Sequence, residues 1–338
     1  MKIYDKNGYV DIPKLIDSGF PFIFIVGGRG TGKTYGALQE ARKRALMGSH
    51  FLYLRRMQSQ VDLINKPQYS PFKALDRDNG YETVSQSISK YTNGFYADGS
   101  PDPIGYTAAL STISNMRGFD ASDVDLIIFD EFIPERHERP IKNEASALFN
   151  AYETVNRNRE LSGGRPCTLL CLANANDLGN PLFLELGLVR TAERMREKGR
   201  ETWTDNNRGI LIVLLNDSPV SAKKNVTAIY RLTAGSEFAD MAINNDFGGD
   251  RGTVRSIPLK ELVPVVTVGE ITVYRHKSDG SHYVSTHGTG SPVTFTSGET
   301  DLKRFQRAYS WLWIAYMERR IIFEEYLCEI LLCKYFNC

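Results

Sequence analysis

Residues 27–34 read Gly27-Gly28-Arg29-Gly30-Thr31-Gly32-Lys33-Thr34, which is the complete consensus of a phosphate-binding P-loop. An apolar run at residues 22–26 (FIFIV) precedes the stretch, and helix-forming residues at 35–44 follow it. The glycines allow backbone N–H groups to wrap around phosphates, and the dipole of the following helix adds to the attraction. The stretch therefore predicts an α/β fold in which the whole loop binds a nucleotide.

The last two residues of this loop have separate predicted roles. Lys33 should reach the β- and γ-phosphates of ATP, and the Thr34 hydroxyl should ligate Mg²⁺. The alternative is a chance glycine-rich turn. A Lys-Thr pair at the end of the loop and an apolar strand in front of it make that alternative weak.

A second apolar run, residues 124–129 (VDLIIF), ends in Asp130-Glu131, which is a Walker B pattern. Asp130 should hold Mg²⁺ at the carboxyl edge of its strand, where open α/β sheets bind ligands. Glu131 can align and deprotonate a water that attacks the γ-phosphate. A P-loop kinase needs no such residue, because its acceptor is a second substrate. The acid pair therefore favours hydrolysis, against the alternative of two acids that cap a helix.

Composition limits the class of protein. The chain has 338 residues, of which 42% are hydrophobic and 24% charged, and its net charge is +1. This length allows two domains, and the near-zero net charge restricts any nucleic-acid surface to a local patch. Neither a signal peptide nor an apolar stretch long enough to span a bilayer is expected, so the sequence predicts a soluble intracellular protein with no membrane partner.

A change in sequence pattern along the chain suggests two domains. Residues 1–205 are expected to form the P-loop domain with a mainly parallel sheet, and residues 206–338 a smaller α+β domain. The turn-forming residues 205–207 mark the boundary, with a short linker segment expected near 200–225. In the second domain, strands are expected at 210–215, 228–233, 262–268, 271–274 and 282–286, followed by helix over 301–335.

Two features follow the Walker B strand. Residues 143–160 carry apolar side chains at helical spacing, with Asn143 as the N-cap and with Arg157 and Arg159 at the C-terminal end. The apolar strand at 166–173 then closes in Asn174. At a strand tip Asn174 would face the nucleotide, where it either senses the γ-phosphate or orients water; the alternative is a simple turn-forming residue.

Several segments, taken together and in order, resemble the DNA-packaging ATPases of phi29-type phages. They are IVGGRGTGKTY at residues 25–35, FLYLRR at 51–56, IFDEFI at 128–133, NEASAL at 143–148, NRNRE at 156–160 and CLANA at 171–175. The resemblance covers residues 20–185 well and the second domain only by length and pattern. NEASAL and NRNRE are much more specific than the Walker motifs.

The resemblance implies an ASCE, RecA-like ATPase that forms a homomeric ring, a pentamer, at the portal vertex of the empty capsid. Such a ring hydrolyses ATP with Mg²⁺ to drive double-stranded DNA inside. The expected partners are DNA, other copies of the chain and the portal, and the resemblance leaves open whether a phage-encoded packaging RNA is another. The expected location is the host bacterial cytoplasm, transiently the procapsid portal, and not the mature virion.

The resemblance also implies roles for single arginines. Arg157 matches the arginine finger that acts in trans on the ATP of a neighbouring subunit, and Arg159 is the competing candidate. Arg117 falls where the family carries a basic residue upstream of Walker B, which suggests another trans contact. Arg55 resembles an arginine near the nucleotide that regulates hydrolysis, and it is expected to be one of the nucleotide-binding residues.

For the second domain the resemblance implies a ribonuclease-H-like fold that has lost its metal-binding acids and serves as a binding platform for DNA, portal or RNA. A nuclease-active large terminase is an alternative, with Asp217, Asp240, Asp246 and Asp250 as the available acids. The sequence also leaves room for a different P-loop DNA-dependent ATPase and for an assembly protein that only binds nucleotide. Intact Lys33 and Glu131 argue against such an assembly protein.

Overall fold

The computed structural model describes residues 2–116, 121–135, 138, 141–174, 177–216, 218–220, 227–233, 253–288 and 290–337. The chain divides into two compact units, Met1–Gly248 and Gly249–Cys338. Within the described ranges, no helix is both long enough and apolar enough to cross a bilayer.

The first unit alternates strands and helices. Its strands are β1 Phe22–Gly27, β2 His50–Arg55, β3 Thr83–Ser87, β4 Asn93–Ala97, β5 Gly105–Ala109, β6 Val124–Asp130, β7 Thr168–Ala173, β8 Thr202–Asp205 and β9 Ile210–Leu215. Its helices are α1 Ile12–Ile16, α2 Lys33–Ala45, α3 Gln58–Ile64, α4 Lys73–Asn79, α5 Glu144–Asn156, α6 Pro181–Glu185, α7 Val189–Glu197 and α8 Ala228–Leu232.

These strands form one sheet in the order β3-β4-β5-β2-β6-β7-β1-β9-β8. The strands from β5 to β9 in that order are parallel, while β3, β4 and β8 add antiparallel edges. Strand β7 lies between the P-loop strand β1 and the Walker B strand β6. Because parallel strands end at the same edge, the ends of β1, β6 and β7 meet there, which is where such sheets bind ligands.

Burial explains why the central strands read as continuous apolar runs. Every residue of β9 is buried, and β6 exposes only Asp125 partly. Strands that are covered on both faces need no polar alternation, and each fully buried aliphatic side chain contributes about 1.5–3 kcal/mol. One face of this sheet forms a core with α1 and α2, which includes Ile25, Leu38 and Ile128.

The expected boundary at 205/206 is wrong, because the next strand belongs to the first sheet. Strand β9 pairs with β1 in parallel over the whole length of both strands, from Phe22↔Ile210 to Gly27↔Leu215. Asp205 is the last residue of β8, and residues 206–209 form the turn to β9, where the Arg208 backbone N–H donates to Asp205 Oδ1 at 3.0 Å. Turn residues look alike in a hairpin and in a linker, so the sequence could not separate the two.

The second unit is α+β. Its strands are β10 Leu262–Val268, β11 Ile271–His276, β12 His282–Ser285, β13 Thr294–Phe295 and β14 Ile321–Phe323, in the order β13-β10-β11-β12-β14. Its helices are α9 Glu299–Ala308, α10 Ser310–Met317 and α11 Tyr326–Phe336. The chain thus has the expected mixed α/β class, with a large, mainly parallel sheet and a smaller C-terminal sheet. The likeness of the second unit to ribonuclease H stays a prediction.

Two predicted elements differ from the structure. The strand expected at 228–233 is the short helix α8. The helix expected over 301–335 is interrupted by β14, which pairs in parallel with β12. Arg319 adopts a φ of +55°, which ends the helical path, and the β-branched residues after it then join the sheet. That pairing depends on a strand about 40 residues away, so local pattern could not reveal it.

Candidate nucleotide-binding site

The P-loop lies between β1 and α2, as the sequence predicts. Gly30 and Gly32 have φ values of +68° and +88°, and Gly32 is the N-cap residue of α2. A Cβ on Gly32 would lie 3.1 Å from atoms of Tyr9, so both the backbone conformation and the space favour glycine. The loop therefore presents its backbone and the N-terminus of a helix, which together suit an anionic phosphate.

Lys33 holds its ammonium group inside this loop. Its Nζ donates to the carbonyl oxygens of Gly27 and Gly28, each at 2.8 Å, and the residue is only 7% exposed. Thr31 is buried and its hydroxyl donates to the Gly28 carbonyl at 3.0 Å. The cation is thus fixed at the centre of the loop, where a bound phosphate would share it.

Thr34 and Asp130 meet across the edge of the sheet. The Thr34 hydroxyl lies 3.2 Å from Oδ1 and 3.1 Å from Oδ2 of Asp130, although 96 residues separate them in sequence. A hydroxyl and a carboxylate are hard oxygen donors of the kind that Mg²⁺ prefers. The two residues expected to hold Mg²⁺ are therefore in contact, and their chemistry fits that ion.

Tyr53 is a residue of this site that the sequence analysis missed. Its side chain is buried within β2, and its hydroxyl donates to Asp130 Oδ2 at 2.6 Å. Burial and the Asp130 carboxylate raise the pKa of this phenol well above its usual value, so it remains a donor at all physiological pH values. A phenol within the apolar run FLYL was the only signal, since a buried Tyr usually finds a partner.

Arg55 contacts both acids of the Walker B motif. One guanidinium nitrogen lies 3.4 Å from Asp130 Oδ2, and the other donates to Glu131 Oε2. Burial raises the pKa of Glu131, and the facing guanidinium opposes that rise. Glu131 also has a φ of +57°, a left-handed conformation that costs a non-glycine residue about 1 kcal/mol or more. The carboxyl is thus held in a strained position beside a cation.

Two other predicted site residues lie at the same edge. Asn174 directly follows β7, whose last residues pair with the ends of β1 and β6 through Val26↔Ala173 and Asp130↔Leu172. The exposed Arg29 of the P-loop forms an ion pair with Glu135 at 2.9 Å, so it bridges the loop and the segment after β6. Asn174 and Arg29 therefore lie at the carboxyl edge of the sheet, together with the other residues predicted there for nucleotide binding.

Arg157 and Arg159 lie at the opposite edge of the same sheet. Arg157 follows the last residue of α5, is exposed, and has a φ of +46°. Arg159 donates to the carbonyls of Ser122, at 2.7 Å, and of Val124, the first residue of β6. Since β6 has seven residues, its first and last Cα atoms are about 20 Å apart. Arg159 therefore cannot contact the nucleotide site of its own chain, and its carbonyl contacts give it a structural task.

Some predicted residues cannot be placed in this way. Arg117 lies outside the described residues, and so do the four acids considered for a nuclease site, Asp217, Asp240, Asp246 and Asp250.

Comparison with known proteins shows what the chain is similar to. The model of the family described as podovirus DNA encapsidation protein (Gp16) matches residues 4–294. The DNA packaging proteins of Bacillus phages PZA and phi29 are each 28% identical over 305 residues, which cover 88% of this chain and 85% of each relative.

Two solved structures are also similar. The N-terminal domain of the DNA packaging ATPase from bacteriophage phi29 is 28% identical, with a TM-score of 0.50; the match covers 62% of this chain and 97% of that domain. The bacteriophage Phi-29 viral genome packaging motor assembly contains a chain that is 24% identical, with a TM-score of 0.68; this match covers 97% of this chain and 98% of that one. The second likeness bears on the fold alone.

Proposed function

This chain belongs to the podovirus DNA encapsidation protein (Gp16) family, and we propose that it is an ATPase that drives double-stranded DNA into a phage procapsid. The observation that carries the proposal is the meeting of Thr34, at the start of α2, with Asp130, at the end of β6, beside a buried Lys33 and next to Glu131. This arrangement suits a nucleoside triphosphate and a water that attacks its γ-phosphorus.

Each residue at the edge has one task in the proposed reaction. Backbone N–H groups of the loop and the Lys33 ammonium hold the β- and γ-phosphates, and Thr34 and Asp130 would hold Mg²⁺, which neutralises phosphate charge when bound. Glu131 accepts a proton from water as the water oxygen bonds to the γ-phosphorus. The bond from that phosphorus to the bridging oxygen then breaks, and ADP and phosphate leave.

The contact between Arg55 and Glu131 suggests how hydrolysis is regulated in this proposal. A carboxylate that is paired with a guanidinium is a weaker base, because protonating it gives up the ion pair. Moving Arg55 away from Glu131 would therefore raise the basicity of the carboxylate. The contact supports the control of hydrolysis that is expected of Arg55.

A ring completes the proposed site. Arg157 lies at the sheet edge opposite to the P-loop of its own chain, so a neighbouring subunit is the natural source of the ATP that it contacts. We propose a homomeric ring that docks on the portal of the procapsid and binds DNA phosphates. The proposed ring is a pentamer, as the resemblance to phi29-type packaging ATPases implies. A packaging RNA is a further candidate partner. The proposed location is the host bacterial cytoplasm, with the ring at the portal vertex only during packaging.

Steady-state ATP hydrolysis with and without double-stranded DNA tests this function. DNA should stimulate turnover at low salt, and the stimulation should fade at moderate salt, because counterion release drives phosphate gripping. Lys33→Ala should abolish turnover in both conditions, whereas the control Glu185→Gln, on an exposed side chain remote from the edge, should leave it unchanged. If DNA does not change the rate of ATP hydrolysis, even when procapsids are present, the proposal of a packaging motor is contradicted.

Replacing Tyr53 with phenylalanine should raise the Mg²⁺ concentration needed for half-maximal hydrolysis by about 10-fold, because an outer-shell partner of a metal ligand is lost. The kcat at saturating Mg²⁺ should change far less. The measurement is a Mg²⁺ titration of turnover at fixed ATP. Tyr106→Phe, on the neighbouring strand β5, is the matched control. An unchanged Mg²⁺ requirement would remove Tyr53 from the proposed site.

A further inference from the structure

Arg56, the residue after β2, is a fully buried cation with two acidic partners. Its exposed fraction is 0%. Its Nε and Nη2 donate to the two carboxylate oxygens of Glu144, at 2.7 and 2.9 Å, and its Nη1 donates to Glu138. Glu144 is the first residue of α5 and is itself buried. A single guanidinium thus joins the end of β2, the segment after β6 and the start of α5.

The same cluster continues to the P-loop. Glu138 Oε1 accepts from the Gln60 side chain on α3 at 2.8 Å, and Glu138 Oε2 accepts from the Glu135 backbone N–H at 3.2 Å. Glu135 in turn pairs with Arg29 at 2.9 Å. A continuous series of polar contacts therefore runs from the phosphate-binding loop through Glu135, Glu138 and Arg56 to α5.

Stability alone does not account for this cluster. Removing a guanidinium and two carboxylates from water is costly, and well-packed apolar side chains of the same volume often give an equal or higher stability. A bidentate guanidinium fixes the distance and the angle between the groups that it joins. The cluster instead fixes the geometry between the end of β2, the segment after β6 and the start of α5. The segment after β6 directly follows Asp130 and begins with Glu131.

Arg55, the residue before Arg56, links this geometry to the nucleotide site. Arg55 contacts Asp130 and Glu131, while Arg56 holds α5, so adjacent residues of one strand end hold the acids and the helix. Helix α5 has 13 residues and is therefore about 20 Å long, with Arg157 following its last residue. A shift of the strand end or of the segment after β6 is thus passed to a rigid helix that carries Arg157.

We propose that Arg56 is a positioning residue that couples the state of the nucleotide site to helix α5, and through α5 to Arg157. The inference rests on the proposed function, because it takes ATP as the ligand that the site senses. The Arg56 guanidinium is buried against Glu138 and Glu144, and it acts through these two residues and through its neighbour Arg55.

Hydrogen exchange of α5 tests this coupling without requiring hydrolysis. The full-length protein is measured with and without a non-hydrolysable ATP analogue and Mg²⁺, and exchange is followed over Glu144–Asn156. Wild-type protein should show at least about threefold slower exchange in the first two turns when the analogue is bound. Arg56→Lys keeps the positive charge but cannot form the bidentate contact. This variant should bind the analogue within about threefold of wild type and lose the change in α5.

Matched controls separate coupling from general loosening of the fold. Arg208→Lys alters an exposed pair with Asp205 in the turn between β8 and β9 and should retain the wild-type response. If Arg56→Lys unfolds, Arg56→Met combined with Glu144→Met replaces the pair by apolar groups and serves as the second variant. Thermal unfolding of every variant establishes that the comparison is made on folded protein.

The outcomes are distinct. An α5 response that is equal in wild type and in the variants, or that is missing in wild type with the analogue bound, overturns the proposal. A response that depends on Arg56, in a protein that never hydrolyses ATP with DNA and procapsids, leaves the coupling standing and overturns the proposed function instead. An analogue that fails to bind wild type overturns both.

Discussion

Glu131→Gln should lower the kcat of ATP hydrolysis at least about 100-fold while ATP affinity changes by less than about threefold, because the variant loses a general base but keeps the shape of the side chain. The amide can still accept a hydrogen bond from Arg55, so the surroundings of the site should persist. Binding of a fluorescent ATP analogue and single-turnover hydrolysis measure the two quantities separately.

The pH profile gives a second test of this role. A general base works only when deprotonated, so activity should fall as the pH drops through the pKa of Glu131. Burial raises that pKa, which moves the acidic limb of the profile to a higher pH than an ordinary carboxyl would give. In Glu131→Gln that limb should be missing from the residual activity. Glu185→Gln, an exposed acid on α6, is the matched control, and equal losses in both variants would exclude Glu131 from the mechanism.

Arg157→Ala should leave nucleotide binding intact and reduce hydrolysis by about 1,000-fold or more, because an arginine finger neutralises charge that develops in the transition state. Arg157 follows α5 at the sheet edge opposite to the P-loop, and its φ of +46° is a strained conformation of the kind that clusters at functional sites. Its action should therefore be in trans, on the ATP of a neighbouring subunit.

Mixing experiments distinguish action in trans from action within one chain. Wild-type and Arg157→Ala proteins are combined in increasing ratios, and DNA-stimulated hydrolysis is measured on procapsids. ATP hydrolysis should fall more steeply than the fraction of wild-type subunits, because each variant subunit also inactivates the ATP site of its neighbour. Arg165→Ala, on an exposed side chain nearby, should have no such effect. A strictly proportional loss would argue that Arg157 does not act across an interface.

Arg159→Ala helps to separate the two candidate fingers. Because Arg159 donates to backbone carbonyls at the start of β6, its loss should mainly lower thermal stability. Steep inhibition in mixtures by Arg159→Ala, and not by Arg157→Ala, would assign the finger to Arg159 instead.

The sequence by itself determined the parts of this protein whose chemistry is local. A P-loop is a run of eight residues between a strand and a helix, and residues 27–34 carry every feature that the turn requires. Likewise the apolar run before Asp130 and Glu131 identified their strand, and the helical spacing after Asn143 identified α5. The side chain of Asn143 makes no cap hydrogen bond, although the residue occupies the N-cap position as expected.

Only the tertiary structure decided the contacts between distant segments. Strand order places Tyr53 against Asp130, and it pairs β9 with β1, which moves the domain boundary beyond residue 205. Arg56 and Glu144 are separated by 88 residues, in the segments FLYLRR and NEASAL, and no local pattern in either segment indicates that the two form a buried ion pair. Local sequence specifies backbone conformation and which face is apolar, whereas the partner of a buried polar group depends on which strands become neighbours.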